Sequence, residues 1–104
     1  MNDQNESSIQ DLPAGIRPDG EGAKLWLWLM SAVEGADSCM PLVVELCRIA
    51  DRLEEVRAKL ALQGLTVSGV RGRSAKNGLL DVELKLSGQF AKIWKTLGLA
   101  DKVA

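Results

Sequence analysis

Leu42, Leu46, Ile49, Leu53, Val56 and Leu60 follow one another at alternating spacings of four and three residues. That repeat puts six branched apolar side chains on one stripe of an α-helix, so the chain must build a long helix and lay another along it. The ends are marked as well. Asp37 or Ser38 is placed to cap the helix, Pro41 is tolerated in its first turn, and Gly64 is a natural stop after Gln63. Glu55 and Lys59 add a favourable i,i+4 pair. A second stripe of small residues, Val43, Cys47, Ala50 and Ala61, lies about a quarter-turn away and reads either as extra core or as a subunit interface.

Two shorter helical segments flank the long one. Lys24 to Val33 contains the run Leu-Trp-Leu-Trp-Leu-Met, apolar enough to be covered on most sides. Trp26 and Trp28 cannot share one face of that helix, so one is expected in the core and the other against a second surface of the same chain or of a neighbour. The third segment starts after Asn77, a good cap, and places Leu79, Val82, Leu86, Phe90, Ile93 and Leu97 on one face before Gly98 ends it. At about 100° per residue, Lys85, Lys92 and Lys95 fall in the opposite sector beside Asp81, as a solvated face or as a surface for nucleic acid.

Between the second and third segments, Leu65-Thr66-Val67-Ser68 gives way to glycines and bases through Lys76, which predicts a short hairpin or an ordered loop. Gly69-Val70-Arg71-Gly72 has the spacing of a KH-domain loop, but the flanking βααβ pattern is missing, and that reading is set aside. Arg71, Arg73 and Lys76 lead into the start of a helix, where backbone donors and mobile cations can meet phosphate. Residues 1–22 hold only Ile9, Leu12 and Ile16 as large apolar residues and are expected to form a flexible acidic and polar tail, leaving 23–101 as the helical domain and 102–104 as its end.

Composition narrows the chemistry. The 104 residues contain no His, which removes the commonest general base and metal ligand. Cys39 and Cys47 lie eight apart on one segment, too far for a disulfide, and no carboxylate cluster or Cys-x-x-Cys joins them into a metal site. There is no Gly-x-x-x-x-Gly-Lys-Ser/Thr phosphate loop. No enzyme activity and no cofactor are expected. The start of the chain lacks the basic flank and apolar run of a secretion signal, and the longest apolar stretch, Leu25 to Val33, is too short to span a bilayer, so a cytoplasmic protein without a membrane partner is expected.

The formal charge of −1 conceals a gradient. Residues 1–40 carry Arg17 and Lys24 against seven acids, residues 41–63 are balanced, and residues 64–104 carry seven basic side chains against Asp81, Glu83 and Asp101. An anionic partner would meet the distal half of the chain. A folded core drawn from roughly eighty residues is small for a free monomer, and self-association is expected to supplement it.

Leu46-Cys47-Arg48-Ile49-Ala50-Asp51-Arg52-Leu53, then Gln63-Gly64-Leu65-Thr66-Val67, then Gly72-Arg73-Ser74-Ala75-Lys76-Asn77, and finally Leu97-Gly98-Leu99-Ala100-Asp101 occur in this order after a Trp-containing helix. In order and spacing they resemble one family of tailed-phage terminase small subunits, over about Leu25 to Asp101. Members often have Asn-Pro where this chain has Asn77-Gly78. The resemblance implies a non-catalytic helical protomer that assembles into a ring, recognises viral double-stranded DNA and delivers it to a large terminase subunit, which holds the ATPase and nuclease, in the host cytoplasm.

Together these readings predict a mainly α fold: a short Trp-rich helix plus a long antiparallel helical hairpin with an intervening loop or short β-hairpin, assembling into an oligomer. DNA is expected at Arg71, Arg73, Lys76, Lys85, Lys92 and Lys95, and subunit contacts at Trp26, Trp28, Val43, Cys47 and Ala50. The alternative is a dimeric helical regulator or antitoxin-like module, in which the same seams make a bundle and the acidic tail grips a protein.

Overall fold

A computed structural model describes residues 12–64, 66–68 and 74–100. The chain is mainly helical. Helix α1 spans Glu21–Ala32, a 3-10 turn spans Ala36–Cys39, and helix α2 spans Met40–Gln63. Strands β1 (Thr66–Ser68) and β2 (Ser74–Lys76) pair antiparallel with Val67 opposite Ala75, and helix α3 spans Leu79–Thr96. The start of α3 lies at the end of α2, where Asn77 meets Gln63 and Gly64, and Arg57 pairs with Glu83 one turn further on. Helix α3 therefore runs back along α2.

The α2 seam is buried from Leu46 through Leu60, and only Leu42, at 37% exposed, stands at its margin. It serves two neighbours. Toward its amino-terminal half, Val43, Leu46 and Cys47 join Ile16, Ala23, Leu29, Ala36 and Leu99 in one cluster. Toward its carboxyl end, Ile49, Leu53, Val56 and Leu60 join Leu86 in another. Phe90 and Ile93 of α3 pack against both.

The two glycine stops act as their positions require. Gly64 takes a φ of +85° and donates its N–H to the Leu60 carbonyl at 2.8 Å. At the end of α3, Gly98 takes a φ of +70° and donates to Lys95, while Leu99 donates to Trp94. This paired reversal satisfies two end carbonyls and folds Leu99 back into the core at 1% exposure. At the start of α3 the Asn77 side-chain oxygen accepts the Leu79 N–H at 3.0 Å, as expected of a cap, and its carboxamide nitrogen donates to the Gly64 carbonyl at 3.0 Å and to Gln63 at 3.2 Å. One buried side chain thus closes both helix ends.

Several expectations are corrected. Neither Asp37 nor Ser38 caps α2: both lie in the 3-10 turn, Ser38 Oγ donates to the Gly35 carbonyl, and the helix follows directly behind Cys39. Glu55 faces Arg17 at 3.5 Å rather than Lys59. Val82 is 42% exposed, although Leu79 before it and Leu86 after it pack on α2.

The largest correction concerns residues 12–22, which are packed and not a free tail. Ile16 is buried, the Arg17 N–H reaches the Asp51 carboxylate at 2.8 Å, and the Ala14 carbonyl accepts from Arg48 Nε at 2.8 Å. Leu12 and Ile16 on the apolar side, and Arg48, Asp51 and Glu54 of α2 on the polar side, hold this segment, and none of these contacts shows as periodicity. The flexible tail expected over residues 1–11 and the end at 102–104 lie outside the described residues.

Candidate functional site

Helix α3 presents two different surfaces. Its inner face is set by Leu86, Phe90 and Ile93 against α2. The helical period then carries Lys85, Lys92 and Lys95 to the outside, where all three are exposed and none pairs with a carboxylate of the described residues. Two helical turns, about 10 Å, separate Lys85 from Lys92, and Lys95 follows one turn later. Lys76 behaves differently: its ammonium is held by Asp81 at 2.8 Å, which neutralises it at the start of the helix. Arg71 and Arg73 lie outside the described residues.

A second feature arises because α1 and α3 pack on different sides of α2. They meet at Trp28 and Trp94, whose rings stack with centroids 6.0 Å apart and an interplanar angle of 10°, and Phe90 continues the stack at 5.7 Å from Trp94. Beside this stack lies an open cleft of about 810 Å³, floored by Ala50 and Leu53 and walled by Leu25 and Trp28 on one side and Phe90 and Trp94 on the other. Glu21, Lys24, Glu54 and Arg57 form its polar rim. Arg57 is tied to Glu83 at 3.0 Å, and Lys24 to Glu21 at 3.4 Å. The surface it offers is apolar and aromatic, suited to another apolar element.

The expected interface residues divide on this geometry. Trp28 and Ala50 line the cleft. Trp26 is half-buried and packs against the first core cluster. Val43 and Cys47 are fully buried within their own chain under α1, which leaves them no surface for a neighbour and corrects their place in a subunit interface, whereas Ala50 on the same stripe faces the cleft and Ala61 is exposed. Burial, with the nearby Asp51 carboxylate adding to it, pushes the Cys47 thiol up to about 12.

What sequence reasoning missed is the pair of carboxylates that seats α1. Gly20 at the cap position has no side chain to offer. Instead Asp51 Oδ1 accepts the Gly22 N–H at 2.8 Å, and Glu54 Oε1 accepts the Glu21 N–H at 3.0 Å, so that the cap comes from α2, some thirty residues along the chain. Asp51 is 3% exposed, and an added Cβ on Gly20 would stand 2.5 Å from its Oδ1. The two glycines flanking Glu21 were the only trace of this in the sequence.

Among the described residues no group of three His, Cys, Asp or Glu could hold a metal ion, and no helix is long and apolar enough to cross a membrane. This chain matches no protein-family pattern, no curated protein and no solved structure.

Proposed function

We propose that this protein is a terminase small subunit: a non-catalytic, oligomeric component that recognises viral double-stranded DNA in the host cytoplasm and delivers it to a large terminase subunit for packaging. The observation that carries the reading is the outer face of α3, where Lys85, Lys92 and Lys95 stand exposed and without a carboxylate partner among the described residues, on a helix anchored along its other side. Such a row meets phosphate by charge and not by sequence. Three cations make a weak site in one protomer, so useful affinity requires several copies, and the order of motifs from the Trp-bearing helix to Leu97-Gly98-Leu99 supports an assembly of that kind. The copies associate through the cleft at Trp28 and Ala50.

Fluorescence titration against duplex DNA at two salt concentrations, with light scattering on the same samples, tests this. The triple variant Lys85→Ala, Lys92→Ala and Lys95→Ala should keep the oligomer mass and weaken binding, with a smaller salt slope. Unchanged affinity and slope would remove α3 as the DNA face. The aromatic cleft also favours a second reading, a dimeric helical regulator that holds a protein partner. A dimer that does not bind DNA would select it, whereas a higher closed oligomer selects the terminase reading.

A further inference from the structure

We propose that residues 12–32, the segment before α1 together with α1 itself, form one detachable unit, and that Asp51 is the latch that makes its two parts leave α2 together. The inference rests on packing alone and is independent of the DNA reading.

The core is built in two parts. Helices α2 and α3 hold each other through Ile49, Leu53, Val56, Leu60 and Leu86, through the Arg57–Glu83 ion pair, and through Asn77 at their junction. None of these contacts uses a residue before Met40. The unit has its own seat, in which Ile16, Ala23 and Leu29 pack on Val43, Leu46 and Cys47 of α2, and it touches only the far end of the α3 segment, through Leu99 and the Trp28–Trp94 stack. A structure whose apolar contacts divide this way opens in steps, and the element with fewer partners opens first.

Polar anchors make that step cooperative. The two Asp51 oxygens serve two pieces of chain: Oδ2 accepts the Arg17 N–H and Oδ1 accepts the Gly22 N–H, both at 2.8 Å. Glu54 Oε1 repeats the pattern, accepting the Arg17 guanidinium at 2.6 Å and the Glu21 N–H at 3.0 Å. If either piece left alone, it would strand a carboxylate at 3% exposure with half its donors gone, an arrangement more costly than releasing both. The unit is joined to α2 through residues 33–39, where Gly35 takes a φ of +82° with nothing near the position of a Cβ. That stretch is suited to act as the hinge.

Cys47 reports the opening directly. Its thiol is fully buried in the unit's seat, and its carbonyl lies against Gly22, so release of the unit uncovers it while α2 and α3 stay paired. In a Cys39→Ser background, alkylation of Cys47 and amide exchange are followed together. Asp51→Asn, which keeps the side-chain size but replaces one acceptor by a donor, should speed Cys47 labelling by about tenfold and accelerate amides in α1 to the same extent. Amides in the first half of α3, where Glu83 and Leu86 hold to α2, should keep their rates. A labelling rate unchanged by Asp51→Asn overturns the proposal, as does equal acceleration in α1 and in the first half of α3. Should that variant fail to fold, the background protein decides: Cys47 labelling must depend less steeply on urea than α3 exchange, and equal dependence means that the unit opens only with the whole molecule.

Discussion

Trp28 and Trp94 stack nearly parallel, 6.0 Å between centroids, and through this pair α1 and α3 meet beside the cleft. Each ring is half-buried, so each contributes through area and through the other. Replacing either by Ala should destabilise the protein by about 2 kcal/mol, and a double-mutant cycle should return a coupling of about 1 kcal/mol. Chemical denaturation of the four proteins measures it, and additive losses would show that the rings merely lie near each other.

Asn77 is the most connected polar side chain of the α2–α3 junction, donating to Gly64 and Gln63 and accepting from Leu79. Asn77→Ala should cost about 2 kcal/mol, because it removes a helix cap and leaves a partly buried carbonyl without its donor. Asn77→Asp keeps the acceptor but loses the donor, and should recover only part of that loss. Thermal unfolding of both variants supplies the comparison.

Cys39 and Cys47 should differ sharply toward alkylating reagents. Cys39 is half-exposed, whereas Cys47 is buried and holds its proton to about 12, so only Cys39 should react in the native protein near neutral pH. The same shift sets a pH dependence. The folded protein keeps the Cys47 proton through a range in which the unfolded chain, with a thiol near 9.0, has lost it. Below 9.0 the contribution is fully present, and stability should fall as pH rises from there toward 12. Cys47→Ala should show a smaller alkaline decline in urea denaturation, and an identical decline would place the effect elsewhere.

Gly22 and Gly88 should respond in opposite directions to Ala. A Cβ on Gly22 would collide with the Cys47 carbonyl and the Asp51 carboxylate, neither of which can withdraw without dislodging α1, so Gly22→Ala should destabilise by about 3 kcal/mol. Gly88 lies inside α3 with nothing near the position of a Cβ, and Gly88→Ala should stabilise by about 0.5 to 1 kcal/mol. Melting temperatures of the two single variants test both signs.

The mainly helical character, the α2 seam and the stops at Gly64 and Gly98 were legible in the sequence. Each depends on residues within a few turns of one another: the period of Leu46, Ile49, Leu53, Val56 and Leu60 selects a helix face, and a left-handed glycine ends it whatever packs nearby. The outward placement of Lys85, Lys92 and Lys95 follows from the same period once Leu86 and Phe90 face inward. Tertiary structure alone decided which apolar stripe was already taken and what held the segment before α1. Val43 and Cys47 could have met a neighbour, but α1 covers them, and it does so because Asp51 and Glu54 supply the cap that Gly20 lacks. Those contacts join residues about thirty positions apart, and a carboxylate that accepts two backbone amides at that distance leaves no periodic mark along the chain.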